Sequence, residues 1–262
     1  RRRHSFPTRR SSDLQVLLFD AQSGAAEAAR AAVQEQWQRL QAKGRISEEQ
    51  LQAWSARLQP VTEMAALKDC TLVVEAIVER LDVKQAVFAQ LEAVVAPDAV
   101  LVSNTSSLSV TQIAAGLQRP ARFAGLHFFN PAPVMKLVEV VSGLATSPEV
   151  VEQLCRCVTA WGKQPVRCRS TPGFIVNRVA RPFYAEAWRA LEEQVAPAAV
   201  IDAALRDGGG FPMGPLELTD MIGQDVNFAV TCSVFNAFWQ DRRFLPSLVQ
   251  QELALAGRLG KK

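Results

Sequence analysis

Histidine is scarce in this chain: there are two in 262 residues, His4 and His127. The five cysteines, at 70, 155, 157, 168 and 232, form no Cys-x-x-Cys pair. A zinc cluster therefore has no ligand set to draw on, no metal is expected, and reduced, cytoplasmic thiols are. No apolar run approaches the roughly 18 to 20 residues that a bilayer span needs, which argues against an integral membrane protein. An excess of one charge is missing as well. Residues 1–13 hold five arginines and one aspartate, a charge of +4 against a whole-chain total of +3, so the remainder carries −1. No basic face for nucleic acid is expected on the folded body.

What is present describes a packed protein. Hydrophobic residues make up 48% and charged residues 21%, close to the globular norm, and the length suits one large domain or two moderate ones. The head RRRHSFPTRRSSD is rich in Arg and Ser and nearly free of acids, a composition shared with transit peptides, but it has no apolar stripe. It is read as a non-native or disordered head over 1–13 and set aside from the fold.

Structure is expected from Leu14, where Gln15 to Asp20 is a short apolar run ending in an acid, as in a buried parallel strand. Residues 22–58 read as two helical segments, with a capping box at Ser47 to Gln50. Thr71 to Ile77 predicts a second strand. A helix carrying Val83, Val87, Leu91 and Val94 follows, stopped by Pro97, and Val100 to Ser103 predicts a third strand. Arg122–Phe129 and Lys136–Val141 are too close in sequence for a parallel crossover and should form an antiparallel hairpin. Ser147 as N-cap, Pro148 in the first turn and Gly162 as stop bracket a helix, and Pro165 to Arg169 closes the sheet. From Thr171 the strand pattern ends, and 173–194, 197–206, 215–240 and 246–257 read as helices, with Pro182 expected to kink or bend the first.

A dinucleotide site should open with strand, glycine turn and helix, and no such opening occurs. The dense glycine cluster Gly208–Gly214 follows a helix and reads as an interhelical turn. Asp20 ends a strand where a ribose-binding acid would sit, but taken alone it reads as a turn or cap residue. In a hairpin centred on Pro133, His127 stands six residues before the centre and Glu139 six after, so the two face each other. A carboxylate beside an imidazole suits a general base. A satisfied core histidine beside a solvent-facing glutamate fits the same pattern. Ser103-Asn104-Thr105-Ser106-Ser107 lies after a strand and before a helix, where it either meets a ligand or caps the helix, and no Gly-x-Ser-x-Gly elbow surrounds Ser106. Asn177 near the start of a helix either faces a cleft or lies on the surface.

The segments SNTSSLSVTQIA, RFAGLHFFNPAPVMKLVEVVSG, STPGFIVNR and GFPMGPLELTD, in this order, resemble the 3-hydroxyacyl-CoA dehydrogenase family over about Gln15 to Lys262. GLATSPEVVEQLCRCVTAWGKQPVRC and RPFYAEAWRALEEQVAP are similar to its bacterial phenylacetate-catabolic branch. The resemblance implies an α/β fold: an incomplete Rossmann-type doubly wound sheet over 14–170, lacking its first strand and glycine turn, then an all-α C-terminal domain over 171–262, itself incomplete. It implies oxidation of a 3-hydroxyacyl-CoA, 3-hydroxyadipyl-CoA within that branch, with NAD as cofactor. His127 is implied as acid/base, Glu139 as its partner, and Ser106 and Asn177 as ligands of the substrate's 3-oxygen. Asp20 is implied to hold the adenosine ribose, with Ala76, Glu79, Lys84, Asn104 and Asn130 lining the cofactor. A homodimer through the helical domain is implied for the intact relative. The missing glycine turn leads to the expectation of weak or absent cofactor binding, and to a rival expectation, a catalytically silent fragment or structural relative of the same fold.

Overall fold

The computed structural model describes residues 14–261; the Arg-rich head lies outside them. Among the described residues no helix is long and apolar enough to cross a membrane, and all five cysteines are free thiols. The chain divides into two compact units, residues 14–105 with 110–167, and 106–109 with 168–261.

The first unit opens with β1 (Val16–Phe19), α1 (Ala25–Ala42) and α2 (Glu48–Arg57). The capping box at the start of α2 forms: Ser47 Oγ accepts from Gln50 N at 3.2 Å, and the Gln50 side chain accepts from Ser47 N at 2.9 Å. The helical expectation for 22–58 fails at its end. Leu58 leaves the helix and starts β2 (Leu58–Val61), which runs parallel to β1 in the register Val16 with Leu58 to Phe19 with Val61. Pro60 and polar Gln59 hide this strand from a pattern search, and Pro60 is tolerated because β2 pairs on one side only.

Five further strands make a second sheet in sequence order: β3 (Leu72–Glu75), β4 (Val100–Ser103), β5 (Phe123–Phe128), β6 (Leu137–Ser142) and β7 (Gln164–Arg169). β3, β4 and β5 are parallel, and β5 and β6 form the expected antiparallel hairpin. The strands thus fall into two sheets, because β1 pairs with β2 and β3 with β4, and nothing among the described residues pairs β1 with β3. The helices of this sheet are α3 (Leu81–Val94), α4 (Val110–Ala114) and α5 (Pro148–Ala160).

β4 is buried along its whole length, as a strand covered on both faces must be. Val150, Leu154 and Val158 of α5, one turn apart, pack on Val100, Val102, Ala124, Leu126, Val138 and Val140, all fully buried. Each such side chain contributes roughly 1.5 to 3 kcal/mol. Ser147 caps α5 by accepting from Val150 N at 3.3 Å. On α3 Leu91 is buried as expected, but in the first turns the buried positions are Lys84 and Phe88 in place of Val83 and Val87, and Phe88 meets Phe123 edge to face at 4.7 Å between centroids. Val83 and Val87 are only half-buried. Gly125 of β5 has no room for a side chain, since a Cβ there would lie 2.9 Å from both Val110 and Val141.

The second unit is helical: α6 (Val176–Glu192), α7 (Ala198–Ala203) continued by a π turn (Ala204–Gly208), α8 (Pro215–Ile222), α9 (Gln224–Ala237) and α10 (Leu248–Leu255). Tyr184, Ala187, Trp188, Ile201 and Leu216 form its core. The helix expected over 215–240 is two, broken at Gly223, whose φ of 102° no helix accommodates. α6 runs through Pro182 uninterrupted; the proline is exposed, so its ring stands on the solvent face. The glycine cluster is an interhelical turn, and Gly214 has a packing role in it. The Asp202 carboxylate of α7 crosses to cap α8, accepting from Leu216 N at 2.8 Å and Glu217 N at 2.9 Å, and a Cβ on Gly214 would lie 2.3 Å from Asp202 Cβ.

Candidate active site

The hairpin register places His127 of β5 directly opposite Glu139 of β6. His127 Nδ1 lies 2.7 Å from Glu139 Oε2, with His127 6% and Glu139 1% exposed. Glutamate 139 is thus buried beneath the imidazole, which excludes the solvent-facing alternative. An ionised carboxylate only accepts, so it selects the tautomer with hydrogen on Nδ1 and leaves Nε2 as the basic nitrogen. Phe129 lies against the ring, 4.5 Å between centroids, and supplies an apolar wall.

The carboxyl ends of β3, β4 and β5 converge beside α3. Asn104, just past β4, accepts from Phe128 N through Oδ1 at 2.9 Å, tying the loop after β4 to the end of the His127 strand. Lys84 on α3 is 1% exposed, and its Nζ donates to Glu75 Oε1 at 2.6 Å and lies 3.4 Å from Glu79 Oε2. Glu75 also accepts from Ser103 Oγ and from Ile77 N, both at 2.6 Å. Thr105 Oγ1 donates to Glu79 Oε1 at 2.5 Å. One buried carboxylate therefore gathers β3, the loop after it, β4 and α3. Glu75 is not visible as functional in the sequence, because a glutamate closing an apolar strand reads as a solvated end, and Ser103 shows only as part of the polar segment Ser103 to Ser107. The available signal was Lys84 on the apolar face of α3, a cation that needs a buried partner.

The other expected residues are placed as follows. Asp20 is exposed after β1, its Oδ1 accepting from Gln22 N at 2.8 Å in a tight turn. Ala76 and Asn130 are exposed at the ends of β3 and β5. Ser106 and Asn177 belong to the helical unit, where Asn177 Nδ2 donates to the Ser106 backbone carbonyl at 3.4 Å. The structure thus pairs His127 with Glu139, Glu79 with Lys84, and Asn177 with Ser106, and leaves Asp20 on the separate two-stranded sheet. Among the described residues no group of three or more His, Cys, Asp or Glu could hold a metal ion.

Residues 8–171 match the NAD binding domain of 3-hydroxyacyl-CoA dehydrogenases, and residues 173–262 match the C-terminal domain of the same enzymes. The chain belongs to the 3-hydroxyacyl-CoA dehydrogenase family. It is 66% identical over 248 residues to a 3-hydroxyadipyl-CoA dehydrogenase of Escherichia coli K12, covering 95% of this chain and 52% of that protein. A probable 3-hydroxybutyryl-CoA dehydrogenase of Deinococcus radiodurans is 36% identical, with 96% and 90% covered. Among solved structures, a 3-hydroxybutyryl-CoA dehydrogenase of E. coli K12 superposes with a TM-score of 0.93 at 66% identity, covering 94% of this chain and 52% of that one. A (S)-3-hydroxybutyryl-CoA dehydrogenase of Ralstonia eutropha gives 0.91 at 36% identity, with 95% and 88% covered. The chain spans about half the length of the E. coli relative.

Proposed function

We propose that this protein oxidises the 3-hydroxyl of a 3-hydroxyacyl-CoA to the 3-oxoacyl-CoA with NAD, and that its substrate is 3-hydroxyadipyl-CoA in phenylacetate degradation. The supporting observation is the buried His127–Glu139 pair at 2.7 Å. In the forward direction His127 Nε2 takes the 3-hydroxyl proton as the C3–H bond breaks and the carbonyl forms. Glu139 holds the imidazole in position and stabilises the imidazolium that results. Ser106 and Asn177 donate hydrogen bonds to the 3-oxygen, and Phe129 shields the ring from water.

The residues present fit a dinucleotide. Asp20 offers an exposed carboxylate at the carboxyl end of a parallel strand, as a ribose diol requires, and its charge disfavours a 2′-phosphate. Small or amide side chains, Ala76, Asn104 and Asn130, follow the carboxyl ends of β3, β4 and β5 in the five-stranded sheet, with Glu79 and Lys84 nearby in sequence. A bound nicotinamide supplies the acceptor for the hydrogen and electron pair that leave C3. In this proposal residues 14–170 form the cofactor domain and 171–262 the helical domain. The latter pairs with a second copy, a reading supported by exposed apolar side chains in this unit, Trp239 at 93%, Leu255 at 75% and Leu248 at 72%. The free thiols suit a cytoplasmic location.

The test is NADH oxidation at 340 nm with 3-oxoadipyl-CoA, wild type against His127→Ala. Turnover that falls by about three orders of magnitude or more in the variant supports the assignment. Turnover unchanged by the substitution removes His127 as the base. The rival reading is a catalytically silent relative of the same fold. Tryptophan quenching by NADH separates the two, since a silent body leaves it unchanged.

A further inference from the structure

Arg181 stands on the buried stripe of α6 with Tyr184 and Trp188, one turn after the half-buried Asn177 on the same face, at the spacing that otherwise selects apolar residues. It is 3% exposed. Its Nη1 donates to the Asn227 carbonyl and to Thr231 Oγ1 on α9, each at 3.0 Å, and its guanidinium lies 4.8 Å from the Tyr184 ring centre. No carboxylate of the described residues lies within ion-pair distance of it. Two buried donors there have no acceptor: Arg181 Nε and Asn227 Nδ2. Burial lowers the guanidinium pKa to about 10, opposed in part by Tyr184 and by no carboxylate. A buried cation held only by neutral acceptors, beside two unused donors, is a costly arrangement that an anionic, acceptor-only group would relieve.

We infer that Arg181 is a specificity residue, the counter-ion for the second carboxylate of a dicarboxylic 3-hydroxyacyl-CoA. This rests on the acyl-CoA reading above, in which Asn177 binds the 3-oxygen. One helical turn separates Asn177 from Arg181, a rise of about 6 Å. In an adipyl chain three C–C bonds separate C3 from the distal carboxyl carbon, a span of about 4 Å that its oxygens extend to about 5 Å. The six-carbon dicarboxylic acyl group thus matches the spacing of the two side chains. A butyryl chain ends at C4 and offers the guanidinium nothing.

The test needs neither NAD nor turnover. Adipyl-CoA and hexanoyl-CoA are equal in chain length, lack a 3-hydroxyl and differ in the terminal group; their binding to the intact chain is measured by calorimetry. Wild type is expected to prefer adipyl-CoA at least about tenfold, and Arg181→Met to abolish the preference by weakening adipyl-CoA alone. An arginine that merely ties α6 to α9 would, on removal, weaken both ligands alike and lower the melting temperature. Binding of both esters with no preference in wild type, or a preference that survives Arg181→Met, overturns the Arg181 assignment and leaves the acyl-CoA reading standing. Binding of neither ester overturns both. Should Arg181→Met fail to fold, Arg181→Lys replaces it: loss of the planar fork is expected to cut the preference severalfold, and an undiminished preference overturns the assignment.

Discussion

Replacing Glu139 by glutamine tests the proposed base most directly, because it keeps the volume of a 1% exposed side chain and removes only its charge. The bond it alters is short, 2.7 Å from His127 Nδ1, and charge-assisted, a class that contributes about 1.5 to 3 kcal/mol. Glutamine can meet the ring in two ways. Through its oxygen it keeps hydrogen on Nδ1 but loses the charge that steadies the imidazolium. Through its amide it forces hydrogen onto Nε2 and leaves no lone pair for the substrate proton. The first costs about 10- to 100-fold in kcat, and the second up to about 10⁴-fold, the scale seen when a base-orienting carboxylate becomes an amide. Glu139→Gln is therefore expected to lower kcat by at least about tenfold, with KM for the acyl-CoA changed by less than about threefold. Imidazole ¹⁵N spectra of the unliganded protein report the tautomer independently: hydrogen on Nδ1 in wild type, shifted toward Nε2 in the variant. A wild-type ring protonated at Nε2 alone, or a kcat within about threefold of wild type, refutes the reasoning.

Four further outcomes follow from the packing. Leu154→Ala, at a fully buried position of α5, should cost about 2 to 5 kcal/mol in urea unfolding. Lys84→Met should cost about 3 to 5 kcal/mol by stranding the Glu75 carboxylate, and adding Glu75→Gln should recover part of that loss in a double-mutant cycle. Arg181 has a folded pKa below its unfolded one, so the unfolded chain binds more protons above about pH 10, and the penalty for burying the charge is present at pH 7 and fades as pH rises beyond about 10. Arg181→Met is accordingly expected to melt no lower than wild type at pH 7, and its stability relative to wild type should decline between pH 10 and 12. Burial holds the Cys157 thiol above its usual pKa of 9.0, so at pH 8.5 mass spectrometry should find it alkylated more slowly than an unstructured peptide thiol.

Much of the first unit is legible because local chemistry and global pairing agree there. The turn Asn130 to Met135 is too short for a crossover, which fixes both the direction and the register of β5 and β6, and with them the meeting of His127 and Glu139. Ser47 and Ser147 announce their helices for the same reason, each serving backbone donors only three residues ahead. What escapes the sequence depends on partners distant along the chain. β2 exists because β1 is there to pair with it, against the preferences of Gln59 and Pro60. The first turns of α3 bury Lys84 and Phe88 in place of Val83 and Val87 because Lys84 finds Glu75, which turns a polar residue inward. Gly223 breaks α8 from α9 without a proline nearby to mark the stop. Arg181 shows only as a charge among apolar positions, and its lack of a carboxylate emerges once α9 is in place.

Asp202 serves amide groups fourteen residues further along the chain. Helix α8 has only eight residues and a glycine where a side chain would cap it, so in isolation its first turn would fray. Its start is stitched by α7, and the two elements should open and close together as one cooperative element. Deuterium uptake at the Leu216 and Glu217 amides then becomes a gauge of whether α7 is docked, and any residue larger than glycine at 214 would release both from protection at once.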